Sequence, residues 1–291
     1  MDRVAVMTDS ITCIPQKMAE EYSIGVIPFH AIIDGKDYLD TEVDMEKLYT
    51  RLKDKENLPT TSAASIGEFL QFYRELSQRA EAILHISISS TFTMEYNAAM
   101  QAKEIARERL PKTTIEVIDS RTSTMGTLLI ALESARAAAQ GKSLNEVIEV
   151  ASNMILRTSL FSMPASLFYF DKGGIIHEVH SWAEAESANS FRTILEVDAS
   201  TAGVMKPVNR AKTRSQIVKK MIDVVKERAG SNKLHGAILH ANAPEQAKQL
   251  KETILSQLQC DELYVCEALA ATAIKAGVGL TEFGFYSSEG R

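Results

Sequence analysis

Through the first 160 residues, short runs of apolar and β-branched residues at 4–7, 25–33, 83–88 and 114–118 alternate with helical patterns. That alternation leaves few folds open. Such runs suit buried strands, and helices of ten residues or more between them give βαβ crossovers and a mostly parallel sheet. The helical stretches fall near 14–22, 44–55, 66–79, 94–109, 122–139 and 144–157. Two of them open with a capping box, "SIGE" at 65–68 and "SLNE" at 143–146. In each, a serine bonds the N3 amide while the glutamate reaches back.

After about residue 158 the texture changes. "SLFSMPASLFYFDKGG" reads as one or two short strands ending at a Gly-Gly turn. "SFRTILEVDASTAGVMKPVNRA" reads as two antiparallel strands joined through 198–203. Helices are expected near 213–229 and 244–258, strands at 234–240 and 262–266, and the tail "GVGLTEFGFY" is expected to close the sheet as an edge strand. The expected fold class is therefore α/β with two domains. Residues 1–160 form an N-terminal domain with a parallel sheet and flanking helices, and 161–291 a C-terminal α/β domain with a mixed, partly antiparallel sheet.

A net charge of −6 argues against nucleic acid as a partner, because such binders present a basic face. No run approaches 18 apolar residues, so no membrane span is expected. Neither a basic-then-apolar leader nor a cysteine framework is visible, Cys13, Cys260 and Cys266 being few and scattered. The expected compartment is the cytoplasm, the expected state a monomer.

Hydroxyl groups crowd the strand ends. The first strand runs into Thr8, Asp9 and Ser10, the third into "SISST" at 87–91, the fourth into Asp119 and Ser120. "PTTSAAS" at 59–65, with Thr61 and Ser62, precedes a helix. In an open parallel sheet ligands bind outside the carboxyl ends of the strands, where helix N-termini also point. Each cluster alone reads as helix capping. Four at one edge favour a small oxyanion site. The loops at 8–13, 89–94 and 119–124 contain no glycine, which disfavours a phosphate cradle and favours a carboxylate held by hydroxyls.

Other chemistries are weaker. No G-x-S-x-G elbow is present, and the six histidines stand in no triad order. "HEVH" at 177–180 offers two histidines to a metal but no third ligand, and reads as a solvated helix surface. Asp9 and Asp119 form a paired-carboxylate site only if they converge.

Six segments in order, "VMTDSITCIP", "IPFHAIIDGKDYLD", "LPTTSAASIGEF", "ISSTFTMEYNAA", "VIDSRTSTMGTLL" and "FDKGGII", resemble the DegV family of fatty-acid-binding proteins. The resemblance covers essentially the whole chain and is strongest in the first 130 residues. It implies two α/β domains with a long-chain fatty acid in an apolar tunnel between them, as ligand rather than cofactor, and no catalysis. It further implies presentation of the acid to a partner fatty acid kinase. Carried over by position, Thr61, Ser90 and Thr93 hold the carboxylate. The strand-end clusters place Asp9, Ser10, Ser62, Asp119 and Ser120 at the rim, and the loose match at 272–277 adds Lys275. No metal site is implied.

The chain departs from the family pattern at four places. Met94 and Glu95 replace the glycine and threonine of the hydroxyl loop, and Glu95 is expected to repel an anionic head group unless it points away. Ile175 replaces an arginine tied to the head group and to the kinase, which puts the kinase partner in doubt. Ala273 falls where a histidine is expected, leaving Lys275 as substitute cation. Two readings compete with the carrier. One is an enzyme on the same rim, an esterase through Ser90 or a phosphoryl-transfer protein through Asp9 and Asp119; the other is a divergent member holding a different lipid.

Overall fold

The computed structural model describes residues 2–174 and 179–288. Ile175 and all but His180 of the "HEVH" segment's histidines thus lie outside the described residues. The first part of the chain forms β1 (Asp2–Asp9), α1 (Gln16–Glu21), β2 (Gly25–Ile27), β3 (His30–Ile33), β4 (Lys36–Leu39) and α2 (Met45–Arg51). It continues with β5 (Thr60–Ser62), α3 (Ile66–Ser77), β6 (Ala80–Ser87), α4 (Glu95–Arg109) and β7 (Thr114–Asp119). Two long helices follow, α5 (Thr124–Ala139) and α6 (Leu144–Arg157). Then come β8 (Ser159–Met163), α7 (Phe168–Gly173), α8 (Val179–Asn189), β9 (Arg192–Asp198), β10 (Lys206–Ala211) and α9 (Arg214–Ala229). The chain ends in β11 (Leu234–His240), α10 (Pro244–Gln257), β12 (Cys260–Glu267), α11 (Ala270–Ala276) and β13 (Thr281–Ser287).

The strands make an all-parallel sheet in the order β2-β1-β6-β7 and a mixed sheet in the order β10-β9-β8-β13-β11-β12. In the second sheet only β11 and β12 run parallel. The α/β class with a parallel and a mixed sheet is as the sequence predicts. Both capping boxes form, at Ser65 with Glu68 and at Ser143 with Glu146. Thr213 adds a third with Gln216.

Three expectations change. Residues 25–33 are not one strand: Pro28 follows β2, and a residue without an N–H cannot continue a ladder. β3 instead joins β4 and β5 in a small antiparallel sheet that places Thr61 opposite Ala31. The aromatic run after Pro164 becomes the helix α7, which buries Tyr169 and Phe170 and donates the Tyr169 hydroxyl to the Leu52 carbonyl at 2.8 Å. The C-terminal strand is not an edge. β13 lies between β8 and β11, paired on both sides, which fits its continuous burial from Thr281 to Tyr286.

α5 ties the two sheets together. Its residues are buried almost all round, as expected of a helix that is apolar on every face. It packs on β1 and β6 of the first sheet and on β13, β11 and β8 of the second. Gly284 permits the approach: a Cβ there would stand 2.8 Å from Met125 Cβ. One apolar core therefore runs from Val4 and Leu84 through Met125 and Leu128 to Leu160 and Leu239.

Candidate functional site: a cavity between the two sheets

Where β1 and β6 end, a cavity of about 150 Å³, partly open to solvent, lies towards α11 and β13. Ile11, Phe29, Ile88, Phe92, Phe170 and Met205 supply its apolar wall. Thr61, Ser62, Thr93, Ser123, Thr124, Thr272, Lys275 and Glu282 bring polar groups to it. A second cleft shares Lys275 and adds Lys55 and Lys172, with Glu56 as its acidic member. The Lys275 end is therefore the electropositive one.

Of the predicted site residues, Thr61, Ser62, Thr93 and Lys275 line the cavity. The hydroxyls of Thr61 and Ser62 meet no hydrogen-bond partner among the described residues. Thr93 Oγ1 accepts only the Glu95 amide, at 3.4 Å. Lys275 Nζ donates to the Gly173 carbonyl at 3.0 Å, and burial lowers its pKa from the ordinary lysine value. It has no carboxylate in ion-pair contact among the described residues.

The other predicted residues are engaged elsewhere. Ser90 donates its hydroxyl to Asp119 at 2.6 Å, and Asp119 also accepts the Arg121 amide at 2.8 Å, so this pair braces two neighbouring strand-end loops. Asp9 is fully buried and accepts the amides of Ile11 at 2.9 Å and Ile88 at 3.1 Å. Burial, reinforced by the nearby Glu95 carboxyl, raises its pKa well above the ordinary aspartate value. Ser10 donates to Asp40 at 2.8 Å and accepts the Phe29 amide at the same distance; burial pushes Asp40 up to about 6. Ser120 meets Thr127 at 3.0 Å. Asp9 and Asp119 do not share a hydrogen-bonded group, and Ser90 makes no hydrogen bond to a histidine among the described residues.

The remaining hydroxyls of the 87–93 loop are also spent on protein. Ser89 and Thr91 donate to the Gly203 carbonyl at 3.0 and 2.6 Å, clamping the first sheet's loop to the β9–β10 connection. Gly203 has φ +78°, and a Cβ there would lie 2.5 Å from the Ser89 oxygen. Glu95 does point away from the cavity. It is fully buried, receives the Ser87 hydroxyl, and places Oε1 at 3.2 Å from His85 Nε2, whose ring in turn meets the Tyr73 hydroxyl. Ala273 is buried and is not among the cavity's lining residues.

Sequence reasoning missed Glu282 and Thr124. Glu282 lines the cavity at 2% exposure and accepts the Thr124 hydroxyl at 2.5 Å; burial pushes its pKa up to about 6, against the pull of the Thr124 and Ser162 hydroxyls. Thr124 holds φ +37°, a strained value for a β-branched residue and a kind of strain that gathers at functional sites. The available signal was a lone acid inside the apolar run "GLTEFGFY".

Comparison with known proteins supplies the relationship. A family profile described as "Uncharacterised protein, DegV family" matches residues 3–288. The DegV domain-containing protein CPE0304 of Clostridium perfringens is 28% identical over 277 residues, 94% of this chain and 95% of that protein. A DegV family protein from Thermus thermophilus, described for its fatty acid binding, superposes with a TM-score of 0.86 at 23% identity, covering 98% of this chain and 99% of that one. A stearic acid-binding protein from Eubacterium ventriosum superposes with a TM-score of 0.87 at 18% identity, covering 98% of each chain. With its fold, its strand-end cavity and a profile match over nearly its full length, the chain belongs to the DegV family.

Proposed function

We propose that the protein is a non-catalytic carrier that holds one long-chain fatty acid in the cavity between its sheets. The observation that carries this reading is the mixed lining of that cavity. Aromatic and aliphatic side chains share it with Thr61, Ser62, Thr93 and Lys275, and the Thr61 and Ser62 hydroxyls meet no hydrogen-bond partner among the described residues. A carboxylate accepts several such donors, and a partly desolvated ammonium adds a charge-assisted bond. Each methylene buried is worth about 0.8 kcal/mol, so a tail of about sixteen carbons offers on the order of 12 kcal/mol before ordering costs. The fatty acids named for solved relatives of the same fold support the assignment. In this reading Ser90 does not touch the ligand; with Asp119 it holds the loop that presents Thr93.

Native mass spectrometry of the purified protein should show one acyl chain per protein, released on denaturation. Delipidated protein that ignores palmitate and oleate at micromolar concentration would defeat the proposal. The proposal extends to presenting the acid to a fatty acid kinase. With Ile175 in the place of the family's arginine, the wild type should be a poor substrate carrier for such a kinase, and Ile175→Arg should raise acyl phosphate formation several-fold. No change in rate would remove the kinase from the reading.

A further inference from the structure

Building on the fatty-acid reading, we propose that the preferred ligand carries a hydroxyl group along its chain, recognised by Glu282 with Thr124. A plain alkyl tail needs only an apolar wall, yet this cavity is lined by a carboxyl group on the interior strand β13. Glu282 is 2% exposed and has no lysine, arginine or histidine in ion-pair contact among the described residues. Lys275 lines the same cavity without pairing with it, so cation and acid serve different parts of the ligand.

A carboxylate offers about four acceptor positions; Thr124 fills one of them, and the Ser162 hydroxyl on the neighbouring strand also stands beside the acid. Leaving buried acceptors against methylene groups costs about 1–3 kcal/mol each, and more for a charged group. A ligand hydroxyl donating to Glu282 removes that penalty and satisfies its own polar group in the same contact. Sites built to bond a hydroxyl reject the analogue that lacks it far more strongly than apolar pockets reject an added hydroxyl. The strained backbone of Thr124 fits this role: the first turn of α5 holds the side chain that orients the acid.

Binding of stearate and of its 2-, 3-, 10- and 12-hydroxy derivatives to delipidated protein tests the inference. At least one isomer should bind tenfold or more tightly than stearate. Glu282→Gln, which keeps an acceptor, should retain a preference for that isomer. Glu282→Leu should reverse it, binding stearate more tightly than the wild type does. Thermal melts of both variants establish that each is folded. Stearate binding with no isomer favoured, or a preference that survives Glu282→Leu, overturns the inference and leaves the carrier standing. Failure of all five acids to bind overturns both.

Discussion

Two sets of hydroxyls meet at the same strand ends, and the contrast between them is instructive. Ser10, Ser87, Ser89, Ser90 and Thr91 donate to Asp40, Glu95, the Gly203 carbonyl or Asp119, all of them groups of the protein itself. Thr61 and Ser62 line the cavity and their hydroxyls meet no hydrogen-bond partner among the described residues, while Thr93 Oγ1 accepts the Glu95 amide at 3.4 Å. The first set spends its bonding capacity on fixing loops, the second keeps it for something else. Residue type is the same in both sets. What separates them is whether a carboxylate or carbonyl of the protein stands within reach.

Substitutions can break or sharpen that contrast. The largest effect is expected from Thr61→Val with Lys275→Met. Removing two bonds to a carboxylate should weaken palmitate binding about 100-fold, while the melting temperature of the lipid-free protein changes little. Titration with a fluorescent acyl displacement assay reads the affinity, and a large loss of stability would place these side chains in the bracing set.

A smaller effect should appear in the pH dependence of stability. The folded Glu282 carboxyl, at about 6 against an ordinary 4.5, binds its proton more tightly than the unfolded one. Its contribution therefore favours the folded state in acid and declines as pH rises from 4.5 to 6, by roughly 2 kcal/mol. Asp9 and Asp40 shift the same way, so they add to the slope. Urea unfolding of lipid-free protein across pH 4.5–7 should show Glu282→Gln gaining on the wild type by that amount. A difference that does not vary with pH would mean the acid is not desolvated.

Smallest is Ser90→Ala, which removes an exposed bond to Asp119 and should cost about 1 kcal/mol of stability. Palmitate affinity should stay within about threefold. A hundredfold loss would return Ser90 to the ligand.

Much of the fold was legible because period and punctuation agreed. The 66–77 and 144–157 helices were marked at their starts by capping boxes, and β11 was bounded as expected. The interior place of β13 was not legible, since burial on both faces gives an apolar run without stating which neighbours cover it. Thr61, Ser62, Thr93 and Lys275, named from sequence and family pattern, line the cavity, whereas the position of Ser90 depends on Asp119, 29 residues away. Glu95 looked hostile to an anion from its place in the loop. As the first residue of α4, its side chain instead enters the layer between helix and sheet, where Ser87 and His85 take it.

The most direct measurement is a crystal structure of the delipidated protein soaked with palmitate. Continuous density should run along Ile88, Phe92 and Phe170, with the carboxylate about 3 Å from the Thr61 hydroxyl and Lys275 Nζ and none near Ser90. Palmitate bound with its carboxylate on Ser90 and Asp119, or a cavity that stays empty at saturating ligand, would contradict the proposed carrier.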